Sequence, residues 1–150
     1  AVLAEDGAEE VALRCGPADP GRPGGPGWPP VELARALRSV VDRGLTVRVL
    51  GVRTAVGAAA GERGPDGAPS TVGALNLLCA VRAALNGAES AELADVVAET
   101  SAAPLAAAAR RMSDPDAAVV RAFLTSVAAV DVPAVVAELV GLGLVTASAD

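Results

Sequence analysis

The sequence contains no lysine, histidine, tyrosine or glutamine, and all twelve of its positive charges are arginine. Histidine titrates nearest neutral pH, and lysine and tyrosine are its usual substitutes in proton transfer. Without them a serine nucleophile has no ordinary base to activate it. Asp, Glu, Arg, Ser, Thr and Cys are what remain, so a self-contained enzyme is disfavoured and no residue is given a catalytic role. Aromatics are nearly absent too, with one Trp (Trp28) and one Phe (Phe123) in 150 residues. The core must therefore consist of closely spaced small aliphatic side chains, chiefly Ala and Val, in a composition that is 52% hydrophobic. Such a bias is that of high-GC coding, as in actinobacteria.

Cysteine is also scarce. Cys15 and Cys79 are too far apart in sequence, and too few, to form a disulfide framework, and without histidine they make no zinc site. Both lie in apolar runs, which fits buried, reduced thiols in a cytoplasmic protein. No apolar run reaches membrane-spanning length and no basic leader is present, so no membrane association is expected. Net charge is −6, with −1 over residues 1–69 and −5 over residues 70–150. An acidic chain with no basic cluster is a poor nucleic-acid binder, because phosphate neutralisation supplies most of the affinity. The acidic group Glu5, Asp6, Glu9 and Glu10 reads as a solvated hairpin tip, and no metal or cofactor is expected.

What is present points to an α/β (or α+β) fold. Leu45, Val47 and Val49 alternate with Thr46 and Arg48, the period of a strand with one buried face, over Leu45–Val52. Before it, Val31–Arg43 reads as a helix that opens at a Pro-Pro step and stops at Gly44, with Leu33, Leu37, Val40 and Val41 on one face. Val2–Glu5 and Glu9–Cys15 flank Asp6-Gly7 and read as a β-hairpin. Hairpin and helix–strand unit form a small sheet within residues 1–87. A mainly helical segment, residues 88–150, is expected to pack on it.

In that segment Ser90 is expected to cap a helix over 91–99, a stretch that also reads as a strand. Pro104 opens an Ala-rich helix to Met112, and further helices are expected over Pro115–Ala129 and Asp131–Gly141. With a short strand over Leu142–Thr146, residues 115–146 take on a winged-helix-like pattern. Its reading helix lacks Arg, Lys, Asn and Gln, so protein contact or packing is expected of it rather than DNA reading.

Two loops invite functional readings. In residues 16–30 a proline recurs at every third position from Pro17 to Pro29, the period of polyproline II. Such a loop is either a ligand for an aromatic-lined groove, anchored by Trp28, or a stiff connector whose Trp28 folds over the core edge, which is favoured. Its six prolines remove the N–H donors a phosphate cradle needs. Residues 53–69 form a Gly/Ala-rich irregular loop, after which Ser70 or Thr71 is expected to cap a helix running to Asn86.

The order hairpin, loop, helix, strand, helix resembles the STAS domain of anti-sigma-factor antagonists. The resemblance is carried by residues 1–19, VELARALRSVVDRG, LTVRVLGV and PSTVGALNLL, and covers residues 1–112 at most. It implies a regulatory domain whose phosphoacceptor is Ser70 or Thr71, at a helix start where a phosphate is favoured. Pro69 stands where that family has Asp, and the strand-to-helix loop is longer. The expected function is non-catalytic regulation or protein–protein interaction, with a protein partner or a second copy. The alternative is a subunit or fragment of a larger α/β enzyme, binding a small anionic ligand at the strand ends through Arg53, with Cys15 beside it.

Overall fold

The structure, a computed structural model, describes residues 9–15, 28–57 and 72–146. At its centre is the alternating stretch, which forms strand β2 (Thr46–Val52), with Val47 and Val49 buried and Arg48 exposed. Helix α1 (Pro30–Asp42) delivers the chain to it and buries Leu33, Ala34, Leu37 and Val40. Pro30 sits at the first helical position, where its missing N–H is no loss. At Gly44 the backbone turns out of the helix with φ of 65°, a conformation that a side chain would strain. Strand β1 (Glu10–Arg14) lies parallel to β2, pairing Val11 with Val47 and Leu13 with Val49. The hairpin strand expected over residues 2–5 lies outside the described residues.

Four helices follow: α2 (Ala74–Leu85), α3 (Ser90–Ala98), α4 (Ala102–Arg110) and α5 (Asp114–Phe123). The chain then re-enters the sheet as β3 (Leu124–Ala129), parallel to β2 on its free edge, and ends in α6 (Val132–Gly141). The strand order is β1-β2-β3. Crossovers between parallel strands are right-handed, and two crossovers stepping the same way put their helices on the same face. The core obeys this rule. Val11, Leu13, Val47 and Val49 pack with Leu37 of α1, Leu77 and Val81 of α2, Val97 of α3 and Phe123 of α5. On the opposite face Ala12, Arg14 and Arg48 are exposed, and an ion pair of 2.6 Å joins Arg48 to Glu10.

The fold is α/β, as the sequence indicates, but the last third of the chain differs from expectation. The helix expected over Pro115–Ala129 stops at Phe123, and Leu124–Ala129 is a strand. Thr125, Ser126 and Val127 supply a β-branched and hydroxyl run that is poor in a helix, and β2 offers it an open ladder. A strand between α5 and α6 removes the helix–turn–helix spacing expected over 115–146. Leu142–Thr146, expected as a strand, holds none, and Gly143 and Leu144 turn the chain by donating their N–H groups to Val140 and Leu139. The ambiguous stretch 91–99 is helical, and its cap is Glu89, which exchanges hydrogen bonds with Glu92. Because β3 joins β2, residues before and after Gly87 share one sheet and one core.

Only one polar side chain is fully buried among the described residues, Asn76 on α2. Its Nδ2 donates to the backbone oxygens of Val96, Val97 and Glu99 at 3.1, 3.3 and 2.7 Å, and its Oδ1 accepts from Gly57 N–H at 2.7 Å. Asn76→Ala removes the carboxamide bonds of four buried or part-buried backbone groups and should cost about 2–4 kcal/mol in urea unfolding. Exposed Thr100→Ala should cost less than about 0.5 kcal/mol. Asn76→Asp, which turns a carboxylate toward three carbonyls, should be at least as damaging as the alanine variant. Equal stabilities for Asn76→Ala and Thr100→Ala would deny the carboxamide its structural role.

Candidate functional site

The strand ends are closed by the chain's own backbone. Past β2, Thr54 and Ala55 accept the N–H groups of Ala74 and Leu75 at 3.0 and 2.8 Å, so the first turn of α2 is already partnered. The close approach depends on Gly73, the N-cap of α2. A Cβ there would lie 2.4 Å from the carbonyl carbon of Val56. Ala55 in turn donates its N–H to Glu138 of α6 at 2.7 Å. A helix N-terminus that could receive an anion is thus occupied by carbonyls, with a carboxylate beside it.

The residues singled out from the sequence fall around this end of the sheet without forming one constellation. Cys15 follows β1 and donates its backbone N–H to Leu50 at 2.8 Å, while its thiol is buried. Arg53 follows β2 and is exposed. Trp28 is half-buried against the core, while residues 16–27 of the proline loop lie outside the described residues. Ser70 and Thr71 lie outside the described residues. Helix α2 is capped by Gly73 rather than by either of them.

A cleft that sequence reading missed opens between α2, α3 and α4. It encloses about 480 Å³, with Cys79, Leu105 and Val96 against its apolar side and Arg82, Asp95 and Glu99 among its polar residues. Two of its charged groups have partners, although Arg82 Nε itself is buried without one. Arg82 pairs with Asp116 at 3.0 Å, and Glu99 accepts from Ser101 N–H at 2.7 Å. That bond, with others from Ser101 and Thr100, holds the Glu99 carboxyl below the usual carboxylate range. Asp116 is held low by hydrogen bonds from the Ser113 cap and then by Arg82. The Cys79 thiol lies 3.7 Å from the Leu105 carbonyl, and burial raises its pKa despite the nearby Arg82 charge. The i, i+3/i+4 spacing of Cys79, Arg82 and Ala83 placed them on one side of a helix, but only the packing of α4 shows that this side borders a cleft.

The surface around β3 has a different character. Thr125–Ala128 are exposed, and six of the seven exposed large hydrophobic side chains among the described residues lie between Val119 and Val145. Charge is sparse here, since the strand and Val130 carry none. Among the described residues no three His, Cys, Asp or Glu side chains come together as metal ligands, and no helix is long and apolar enough to cross a membrane. Comparison with protein-family models, with curated proteins and with solved structures finds no match to this chain.

Burial pushes the Cys15 thiol up to about 12, and Cys79 is raised by the same cause. A thiol reagent such as Ellman's acts on the thiolate, so at pH 8 Cys15 should react at least about 100-fold more slowly in the native than in the urea-unfolded chain, and Cys79 should also be slowed. A rapid stoichiometric reaction of the native protein would mean that one thiol is activated.

Proposed function

We propose that this domain acts by binding protein, without catalysis, through the surface formed by the end of α5, strand β3 and helix α6. The carrying observation is the concentration of exposed valines there, at Val119, Val127, Val130, Val132, Val136 and Val145. Scattered exposed apolar residues need no explanation, whereas a group of them beside an open strand edge is what interaction surfaces present. Two buried free cysteines suit the reducing, cytoplasmic setting that belongs to this reading.

A STAS-like regulatory form of the role would add phosphorylation at Ser70 or Thr71. It draws support from the sequence resemblance and from a sheet with its packed helices on one face. Less supports the alternative of an anion-binding enzyme part. Arg53 stands exposed at the strand ends, but the N–H groups of Ala74 and Leu75 that would help it hold an anion already have partners.

A photocrosslinking residue tests the reading in cells producing the chain, placed in turn at Val127, at Val136 and, as a control, at exposed Ala103 on α4. Discrete protein adducts should form from the first two positions and not from the third. The adduct mass separates a second copy of the chain from a different partner. No adduct at any position, or equal adducts at Ala103, would overturn the proposal.

A further inference from the structure

The open edge of β3 presents backbone N–H and C=O groups with no strand beside them among the described residues. In a chain of net charge −6, the segment LTSVAAV over 124–130 carries no charge. Val127, Val130 and Val136 stand around it with 38%, 65% and 42% of their surface exposed.

We infer that a second copy of this chain pairs antiparallel along β3 across a two-fold axis, joining two three-stranded sheets into one of six strands. The inference rests on the reading of this surface as an interaction site and names its occupant. A two-fold contact sets a patch against itself, so the patch must be self-complementary. An uncharged strand meets its own copy with no like charges opposed, and each strand supplies the donors and acceptors that the other lacks. The charges at the two ends choose the direction. Exposed Arg121 precedes β3 by three residues and exposed Asp131 follows it by two. Antiparallel pairing brings the Arg121 end of one copy to the Asp131 end of the other, twice. Parallel pairing would set Arg121 against Arg121 and Asp131 against Asp131. An antiparallel neighbour at the edge of a parallel sheet is itself a common arrangement.

Sedimentation of the full chain over about 1–500 µM, a range that brackets micromolar association, provides the test. Mass should rise from 14.7 kDa toward twice that value. Val127→Glu, which places two carboxylates in the neutral seam, should weaken association at least about tenfold with the far-ultraviolet circular dichroism unchanged. Arg121→Asp and Asp131→Arg should each weaken self-association. An equimolar mixture of these two chains should dimerise, because both end pairs are then of opposite charge. This last arm is independent of the helix cap lost with Asp131, since the loss persists in the mixture. A chain that stays monomeric throughout overturns the second copy as occupant and leaves crosslinks to a different partner standing. A dimer indifferent to Val127→Glu, or a mixture that fails to associate, overturns the antiparallel β3 seam.

Discussion

One buried carboxamide ties α2 both to the end of α3 and to the loop that leaves β2. Asn76 lies in the first turn of α2, between the end of α3 and the loop that leaves β2, and it satisfies backbone groups of both. The last carbonyls of α3 have few donors of their own, a 3.4 Å bond from Glu99 N–H to Val96 being the exception. Both the Nδ2 donor and the Oδ1 acceptor of the carboxamide are engaged. Its neighbours follow from this anchoring. Gly73 brings the Val56–Gly57 backbone within reach, and Thr54 and Ala55 then serve the first turn of α2. A core made of Val, Leu and Ala has no large aromatic side chain to set the spacing of its layers. Here a hydrogen-bonded hub sets that spacing instead.

The handedness of parallel crossovers explains the other half of the architecture. With strand order β1-β2-β3 the chain never reverses its direction across the sheet, so its crossovers return on one side. Parallel sheets are ordinarily covered on both faces. In this chain the second face carries Arg14 and Arg48, and Arg48 is joined to Glu10 across the strands. Charged side chains make that face tolerable in water. The β3 edge lacks such protection, because Thr125, Ser126, Val127 and Ala128 include no charge to discourage another strand.

Much of the framework was legible in the residues themselves. Strand β2 announced itself by alternation, α1 by a Pro-Pro start and a Gly stop, and α5 and α6 by Ser113 and Asp131, both of which do cap. Strand β3 did not, because Ala and Val at 127–130 satisfy either a buried helix or a strand, and no glycine or proline separates them from α5. Only β2, whose valines need pairing on both edges, decides the matter, and that is a tertiary fact. The cleft between α2, α3 and α4 was hidden for a related reason, since it exists only where three helices meet. Arg82 of α2 reaches Asp116 on α5, a pairing that no local pattern predicts. Cys15 and Arg53 follow β1 and β2 directly, as their places in the sequence indicate. Burial of the thiol and occupation of the α2 N-terminus depend on packing that no local pattern encodes.

The scarcity of aromatics bears on the exposed valines as well. A chain of this length can bury enough aliphatic surface to fold, but each Val or Ala contributes less area than the Phe, Tyr or Trp that most interfaces use as anchors. A binding surface built from this alphabet cannot concentrate its affinity in one or two large residues. It must spread contact along an extended line, and the backbone of an edge strand is such a line, adding hydrogen bonds that do not depend on side-chain size. The composition and the open edge therefore point to the same mode of recognition. In the proposed dimer a chain poor in anchors would bind along a strand, with the valines flanking β3 keeping water away from that ladder.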